Sequence, residues 1–176
     1  MMGHLIFETE WGWMAVAASV RGVMAILLPV KHRQTAEAAV RRWCKNPGLW
    51  KFESHPDGVL LETAKRQVGD YLHGQRHALD FPLDLSSGSP FQRRVWRVTQ
   101  RIPYGRVRSY RWVAERVGGR RYARAVGLAL GANPVPIVVP CHRIVASHGG
   151  LGGFTGGLRA KRRLLTLEGS LAQLTR

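Results

Sequence analysis

The chain has 176 residues, and 45% of them are hydrophobic, which excludes a disordered protein and allows one large or two small domains. Its two cysteines, Cys44 and Cys141, lie far apart and fit neither a disulfide framework nor a zinc-ligand spacing. We therefore expect a reducing compartment, the cytoplasm or in a eukaryote the nucleus, and no metal site.

An apolar stretch from Trp11 to Val30 could be mistaken for a secretory signal. It follows Glu8 and Glu10 rather than basic residues, and Arg21-Gly22 interrupts it. It predicts two strands joined by a turn at Ser19 to Gly22. No uninterrupted apolar run is long enough to cross a bilayer, so no membrane partner is expected.

The positive charge is concentrated in one half of the chain. Residues 1–86 carry ten Lys and Arg against nine Asp and Glu, whereas residues 87–176 carry seventeen against two. A segregated basic surface indicates a polyanionic partner, and nucleic acid is the first candidate. A membrane surface is the competitor, but no long basic amphipathic helix supports it.

The first half predicts a small α/β domain. The predicted strands are Leu5 to Phe7, Trp13 to Ala17 and Val23 to Leu28. Helical periodicity covers Thr35 to Cys44, capped by Gln34 or Thr35, and Leu60 to Leu72, with loops at Pro47-Gly48 and at residues 55–58.

A Ser, Gly and Pro-rich break runs from Asp84 to Pro90, where the charge balance also changes. We place a domain boundary there, between residues 1–86 and residues 87–176. After the break, amphipathic helices are predicted from Pro90 to Arg101, from Tyr110 to Val117 with Ser109 as cap, and from about Tyr122 to Leu130. Two short helices around Gly118-Gly119 in a basic region are typical of a helix-turn-helix.

The second helix of this pair is slim. Ala123, Gly127 and Ala129 are small, and Arg124 is its one long polar side chain. A major-groove reader normally presents several long polar groups to the bases. A slim helix instead favours close approach with a single inserted side chain, although small residues also permit tight helix packing.

The run from Pro134 to Val145 is apolar and β-branched, and it predicts a buried strand-like segment. Cys141, His142 and Arg143 lie within it. A thiol near an imidazole and a guanidinium ionises more readily and becomes a nucleophile, although a buried cysteine is more often a packing residue. Because neighbours on an extended chain point to opposite sides, His142 needs a turn or a bridging water to reach the sulfur.

Several motifs in order resemble those of the O(6)-alkylguanine-DNA alkyltransferases, also called methylated-DNA–protein-cysteine methyltransferases. The resemblance spans about Phe91 to Gly169 and rests on the following segments: residues 91–96, 102–105, 108–110 and 123–127, Asn133 to Ile137, Pro140 to Arg143, Gly156-Gly157 and residues 164–169. It implies an α/β N-terminal domain, with a small antiparallel sheet and helices, and a mostly α C-terminal domain with a winged-helix-like helix-turn-helix.

The resemblance also assigns the chemistry, a single displacement without a cofactor. Cys141 corresponds to the alkyl acceptor, His142 to a base acting through a water, and Glu168 to the group that orients that histidine. Asn133 matches the hinge asparagine. Tyr110 matches a tyrosine that crowds the 3′ phosphate of the target and donates a proton to the guanine.

The implied partner is double-stranded DNA containing alkylated guanine, bound by a monomer in the minor groove with the target nucleotide flipped out. Arg124 matches the finger that fills the resulting gap. The other implied DNA contacts are Tyr110, Arg111, Ala123, Gln92 and Ser147, and the implied base pocket comprises Val139, Ser147, Phe154, Thr155, Gly156 and Lys161. The family often has Tyr at the position of Phe154, so one pocket hydroxyl is absent.

Two other interpretations stay open from the sequence. One is a relative that binds alkylguanine without accepting the alkyl group, although such proteins commonly have Trp where this chain has Cys141. The other is a helix-turn-helix transcription regulator with a structural cysteine, and a thiol hydrolase is a weak third. The thioether product offers no bond to hydrolyse, so the transferase interpretation predicts that each molecule acts once.

Overall fold

The computed structural model describes residues 3–45, 58–147 and 149–174. The chain divides into two compact units between Ser87 and Gly88. The loop predicted at Pro47-Gly48 lies outside the described residues, as do the side chain of Cys44 and the loop predicted at 55–58 except for Gly58. Within the described part of the chain, no helix has both the length and the apolar character needed to cross a membrane.

The first unit is a three-stranded antiparallel sheet with two helices packed on it, as predicted. Its elements are β1 (Gly3–Thr9), β2 (Gly12–Ser19), β3 (Gly22–Val30), α1 (Arg33–Lys45) and α2 (Gly58–Leu72). The central strand supplies the core because residues 14–18 are all buried. The predicted turn is also confirmed, since β2 ends at Ser19 and β3 begins at Gly22.

Both helices begin two residues earlier than the hydrophobic pattern predicted. The helix α1 begins at Arg33, so the proposed caps Gln34 and Thr35 lie inside its first turn. The amide of Thr35 instead donates to the His32 carbonyl at 3.1 Å. The residues missed at the start of α1, Arg33 and Gln34, are polar and carry no periodic apolar signal.

The second unit is mostly helical. Its elements are α3 (Pro90–Gln100), β4 (Arg108–Ser109), α4 (Tyr110–Val117), α5 (Ala123–Gly131), β5 (Ile144–Val145) and α6 (Gly157–Leu167), with short 3-10 helices at Arg120–Tyr122, Cys141–Arg143 and Leu171–Leu174. The side chain of Ser109 caps α4 by accepting from the Trp112 amide at 3.1 Å, as predicted. The helices α3 and α5 are joined through Trp96, whose indole donates to the Ala129 carbonyl at 2.8 Å.

The segment from Pro134 to Val145 is largely buried, as predicted, but it is not one continuous strand. It turns at a bridge between Pro136 and Val139, passes into the 3-10 helix that begins at Cys141, and pairs in parallel with β4 only over the two residues of β5. Three prolines remove the amide donors that a continuous strand needs. The apolar side chains of this segment are therefore buried in a turn rather than in a sheet.

Candidate active site

Cys141 lies at the start of its 3-10 helix and is only 6% exposed. The side chain of Asn133, just beyond α5, holds this turn from both ends. Its Nδ2 donates to the Val139 carbonyl at 2.9 Å and to the Cys141 sulfur at 3.2 Å, while its Oδ1 accepts from the Val135 amide at 3.1 Å. One amide side chain thus fixes the loop and the thiol that the loop presents.

The next residue, His142, points into the interior and is fully buried. Its Nε2 lies 2.6 Å from Oε1 of Glu168, which follows α6. Arg143 binds the same carboxylate through Nε, at 2.9 Å from Oε2, and donates through Nη1 to the Ile102 carbonyl at 2.6 Å. The amide of Gly105 donates to Oε2 at 3.1 Å. The carboxylate is therefore held by several donors at once, and with it the orientation of the imidazole.

These contacts determine the charges in the site. Burial alone would raise the pKa of Glu168, but the hydrogen bonds and charges of His142 and Arg143 outweigh burial and lower that pKa to about 2. Burial lowers the pKa of His142, and the Glu168 carboxylate opposes this shift only in part. At neutral pH the group next to the thiol is thus a neutral imidazole supported by an ionised carboxylate.

Burial raises the pKa of the Cys141 thiol, and the hydrogen bond from Asn133 and the charge of Lys161 oppose that shift only in part. The sequence had suggested that His142 and Arg143 would promote ionisation of the thiol. That expectation is wrong, because the guanidinium neutralises Glu168 and the histidine is uncharged. The resting site consists of a thiol and a neutral base, and a reaction at sulfur requires proton transfer.

The thiol faces a cavity of about 270 Å³. Its walls come from the start of α4, the last turns of α5, Cys141 and the loop before α6, and the residues lining it are Tyr110, Gly127, Leu130, Gly131, Cys141, Gly153, Phe154 and Thr155. This volume is just below the roughly 300–1,000 Å³ of typical ligand pockets, so it suits one small planar group. Phe154 stands edge-on to the ring of His142, with 6.5 Å between their centroids.

Tyr110 closes one side of the cavity. Its hydroxyl donates to the Gly153 carbonyl at 3.3 Å, and burial raises its pKa, so the phenol stays protonated at neutral pH. Gly152 lets the loop approach this ring, because a Cβ there would lie 2.8 Å from the Tyr110 ring and its φ is +67°. The hydroxyl of Thr155 ties the same loop to α5 by donating to the Gly131 carbonyl at 3.1 Å.

Lys161 was expected in the pocket, but the structure places it elsewhere. Its side chain is fully buried, and its ammonium donates to the carbonyls of Ile144, Leu151 and Gly153. Burial lowers its pKa to about 8, which leaves it charged at neutral pH. Lys161 therefore fastens the pocket loop to β5 rather than lining the cavity.

Three other expected pocket residues do not line this cavity either. Val139 is fully buried behind the turn, while Ser147 and Gly156 are exposed. Phe154 and Thr155 do line it. Sequence reasoning missed four residues of the wall, Gly127, Leu130, Gly131 and Gly153. The small size of the residues along α5 was a signal for the two α5 glycines, whereas nothing in the sequence indicated Leu130 or Gly153.

Several known proteins resemble this chain in sequence. A family model described as the DNA binding domain of 6-O-methylguanine DNA methyltransferase matches residues 90–170. A methylated-DNA–protein-cysteine methyltransferase of Mycolicibacterium paratuberculosis is 47% identical over 135 residues, which are 77% of this chain and 74% of the relative. One of Methanosarcina acetivorans is 43% identical over 169 residues, 96% of this chain and 99% of the relative. The chain belongs to the methylated-DNA–protein-cysteine methyltransferase family.

A solved structure extends the likeness over both units. The crystal structure of Mycobacterium tuberculosis OGT in complex with DNA has a TM-score of 0.74 and 32% sequence identity, and the match covers 97% of this chain and 95% of that chain. The family resemblance inferred from the motifs is thereby confirmed, and so is the fold class of a small sheet with helices followed by a mostly helical part.

In this member of the methyltransferase family, the residues expected to contact DNA differ in their exposure and local hydrogen bonds. Arg111 and Arg124 are exposed on α4 and α5, and Ala123 is half-buried at the start of α5. Gln92 is engaged locally, because its Oε1 accepts from the Ser89 amide at 2.8 Å and closes the capping box of α3. The DNA roles of all these residues stay predictions.

Few carboxylates oppose the charge of the second unit. Glu115 and Glu168 are the only acidic side chains in residues 88–176. Glu115 binds Arg120 at 2.7 Å, and Glu168 is buried with His142 and Arg143. The excess of arginine on this unit therefore has few anionic side chains of its own to bind.

Proposed function

We propose that this methyltransferase repairs DNA by moving an alkyl group from O6 of guanine to the sulfur of Cys141, once per molecule. The observation that carries the proposal is the position of the thiol. It faces a cavity sized for a small planar group and lies beside a buried imidazole that Glu168 orients. The names of the relatives supply the substrate class.

The proposed reaction begins with proton transfer. Because Glu168 is ionised, the His142 nitrogen that faces it, Nε2, carries the ring proton, and Nδ1 is the base. Through a bridging water it takes the proton of the Cys141 thiol. The sulfur then attacks the alkyl carbon, an S–C bond forms, and the bond between that carbon and O6 breaks with its electron pair going to the guanine. Glu168 stabilises the imidazolium that results.

The departing guanine anion needs a proton, and we propose that Tyr110 donates it. Its hydroxyl is protonated at neutral pH and lines the same cavity as Cys141. The phenolate is reprotonated by the proton that left the thiol, so the net products are guanine and an alkylated cysteine. A donor placed in the pocket lowers the barrier because an unprotonated guanine is a poor leaving group.

We propose that residues 87–176 bind DNA and accept the alkyl group, and that residues 1–86 support the fold. The slim helix α5 would enter the minor groove of alkylated duplex DNA, where the exposed Arg124 would fill the gap left by the flipped nucleotide. Arg111 would contact the backbone. The crystal structure of the Mycobacterium tuberculosis relative in complex with DNA supports DNA as the partner. We propose that this chain binds it as a monomer.

A titration tests the proposed function. A fixed amount of protein is mixed with increasing amounts of a duplex that contains one O6-methylguanine, and the repaired guanine is counted by chromatography. We expect repair to stop at one guanine per protein molecule and to be absent in Cys141→Ala. Several guanines repaired per molecule would contradict the single-use mechanism, whereas tight binding without repair would indicate a damage-binding relative.

A further inference from the structure

An exposed leucine lies on α5 outside the lining of the active-site cavity. Leu128 is 73% exposed, and among the large hydrophobic side chains of the described residues only Val59 is more exposed. The helix has a well-defined buried face, formed by Val126, Ala129 and Leu130. A single exposed leucine is common on protein surfaces. Leu128 is of interest because it lies on the helix whose glycines Gly127 and Gly131 border the cavity.

The helix geometry places Leu128 beside Arg124. The two residues are four apart, so they lie on the same face, and Leu128 is roughly 6 Å further along the axis. That direction leads to the cavity, because Gly127 and Gly131 line it together with Cys141. Leu128 therefore lies one turn beyond the finger arginine, on the stretch of α5 that borders the pocket.

We infer that Leu128 is an apolar DNA contact that enters the minor groove beside Arg124 and stabilises the duplex with its target nucleotide flipped out. The inference rests on the proposed function, because it needs α5 in the groove. Apolar side chains in the minor groove press against sugars and partly unstack base steps. At this position the leucine would occupy space next to the base pair that opens.

The surroundings of Leu128 favour DNA over a protein partner. Gly131 and Ala132 flank it on the exposed face, so it forms a narrow ridge rather than a broad apolar patch. Arg124 is exposed on the preceding turn, and Arg121 is exposed in the 3-10 helix before α5. A single apolar ridge between arginines and small residues fits a groove with phosphate walls, whereas a protein interface has an extended apolar centre.

The contact has a signature that a charged contact lacks. An apolar group releases no counterions, so its loss weakens binding without changing how the binding constant varies with salt. The leucine contact should also help only on a duplex, since a single strand has no base pair to open. Both properties can be measured in the full-length protein.

The test compares Leu128→Ala with Leu158→Ala, a matched control because Leu158 is a 52% exposed leucine on α6. Binding to a methylguanine duplex is measured over a range of salt concentrations in a Cys141→Ser background, where no transfer interferes. We expect Leu128→Ala to lose about tenfold in affinity with an unchanged salt slope, whereas Leu158→Ala and the conservative Leu128→Met stay near the parent.

Transfer is then measured in variants that retain Cys141, on the duplex and on the single strand. We expect Leu128→Ala to slow transfer to the duplex about tenfold and to leave the single strand unaffected. Equal behaviour of Leu128→Ala and Leu158→Ala would overturn the inference, as would an equal loss on both substrates or a reduced salt slope. Failure of the proposed function gives a different result, because the unsubstituted protein would then transfer nothing.

Discussion

Within the active site, His142 and Arg143 share one carboxylate. Glu168 accepts from both side chains and from the Gly105 amide, and the sum of these bonds keeps it ionised although it is buried. The arginine neutralises the carboxylate, and the carboxylate keeps the imidazole in one orientation. The charge of this cluster is thereby confined to groups that do not touch the cavity, and the thiol stays neutral until a base removes its proton.

Acid should remove part of the stability that Glu168 provides. Its folded pKa of about 2 is below its ordinary value of 4.5, so the unfolded chain binds its proton first as pH falls. The contribution is complete above pH 4.5 and is lost as pH falls toward 2, and its size is on the order of 3 kcal/mol. Urea unfolding at several pH values measures it.

We expect Glu168→Gln to be less stable than the parent at neutral pH and to show a flatter decline between pH 4.5 and 2. Glu115→Gln, which removes an exposed carboxylate in the same unit, is the matched control and should follow the parent's profile. If the free energy of unfolding of Glu168→Gln declined as steeply as that of the parent, protonation of the Glu168 carboxylate would not be the cause of the acid destabilisation.

The pH dependence of transfer should identify the form of the base. The reaction needs a neutral His142, and burial lowers the pKa of this group below its ordinary value of 6.5. Single-turnover rates should therefore be maintained as pH falls through 6.5 and decline only at lower pH. A rate that halves at or above pH 6.5 would mean that the imidazole is easily charged in the folded protein, contrary to its burial.

Among the elements, the loop before α6 depends on a side chain of the helix that follows it. Lys161 donates to carbonyls of Leu151 and Gly153 in this loop and of Ile144 in β5. The same loop carries Phe154 and Thr155 of the pocket wall. One buried ammonium thus couples the pocket loop to the strand that follows Cys141.

Removing that ammonium should loosen the loop. We expect Lys161→Met to lower the free energy of unfolding by about 2–4 kcal/mol, because three carbonyls lose a charged donor in a buried place. Amide hydrogen exchange should accelerate over residues 151–155. The matched control is Arg162→Met, one residue along the same helix but exposed, which should change stability by less than about 0.5 kcal/mol. Equal effects of the two substitutions would mean that the buried ammonium of Lys161 does not hold the loop.

The elements also show what the sequence could and could not predict. Local signals were sufficient for α3 and α4. The amphipathic pattern located α3, which Ser89 caps in the structure, and the predicted cap Ser109 accepts from the backbone amide three residues ahead. The segment around Cys141 was predicted to be strand-like, but only Ile144–Val145 forms a strand. Apolar content alone does not reveal where prolines interrupt the pairing. The true partners of Lys161 are backbone carbonyls, which no sequence pattern marks, so its place outside the cavity could not be foreseen. Cys141 and Glu168 were connected only through the family resemblance.

For the whole molecule, the division of charge was visible in the sequence and has a measurable consequence. The half that contains α4 and α5 carries seventeen basic and two acidic residues, and both acidic groups are engaged with arginine. If DNA binding uses about four phosphate contacts, the binding constant should fall about a hundredfold between roughly 50 and 200 mM salt. Fluorescence anisotropy with an undamaged duplex measures this.

A charge variant on each unit sharpens this prediction. Arg111→Gln should reduce the salt slope by about 0.9, the value for one lost phosphate contact. Lys31→Gln, an exposed charge of the first unit, should leave the slope unchanged. A slope that responds equally to both substitutions would mean that the first unit shares the DNA-binding surface, contrary to the proposed division of roles.

The most direct test of the central claim is to locate the transferred group. The protein is incubated with a methylguanine duplex and digested, and its peptides are weighed by mass spectrometry. We predict one added methyl group on the peptide that contains Cys141 and none on the peptide that contains Cys44, with Cys141→Ala unmodified. A methyl group on Cys44 or on any other residue, or an unmodified protein beside repaired DNA, would contradict the assignment of Cys141 as the acceptor.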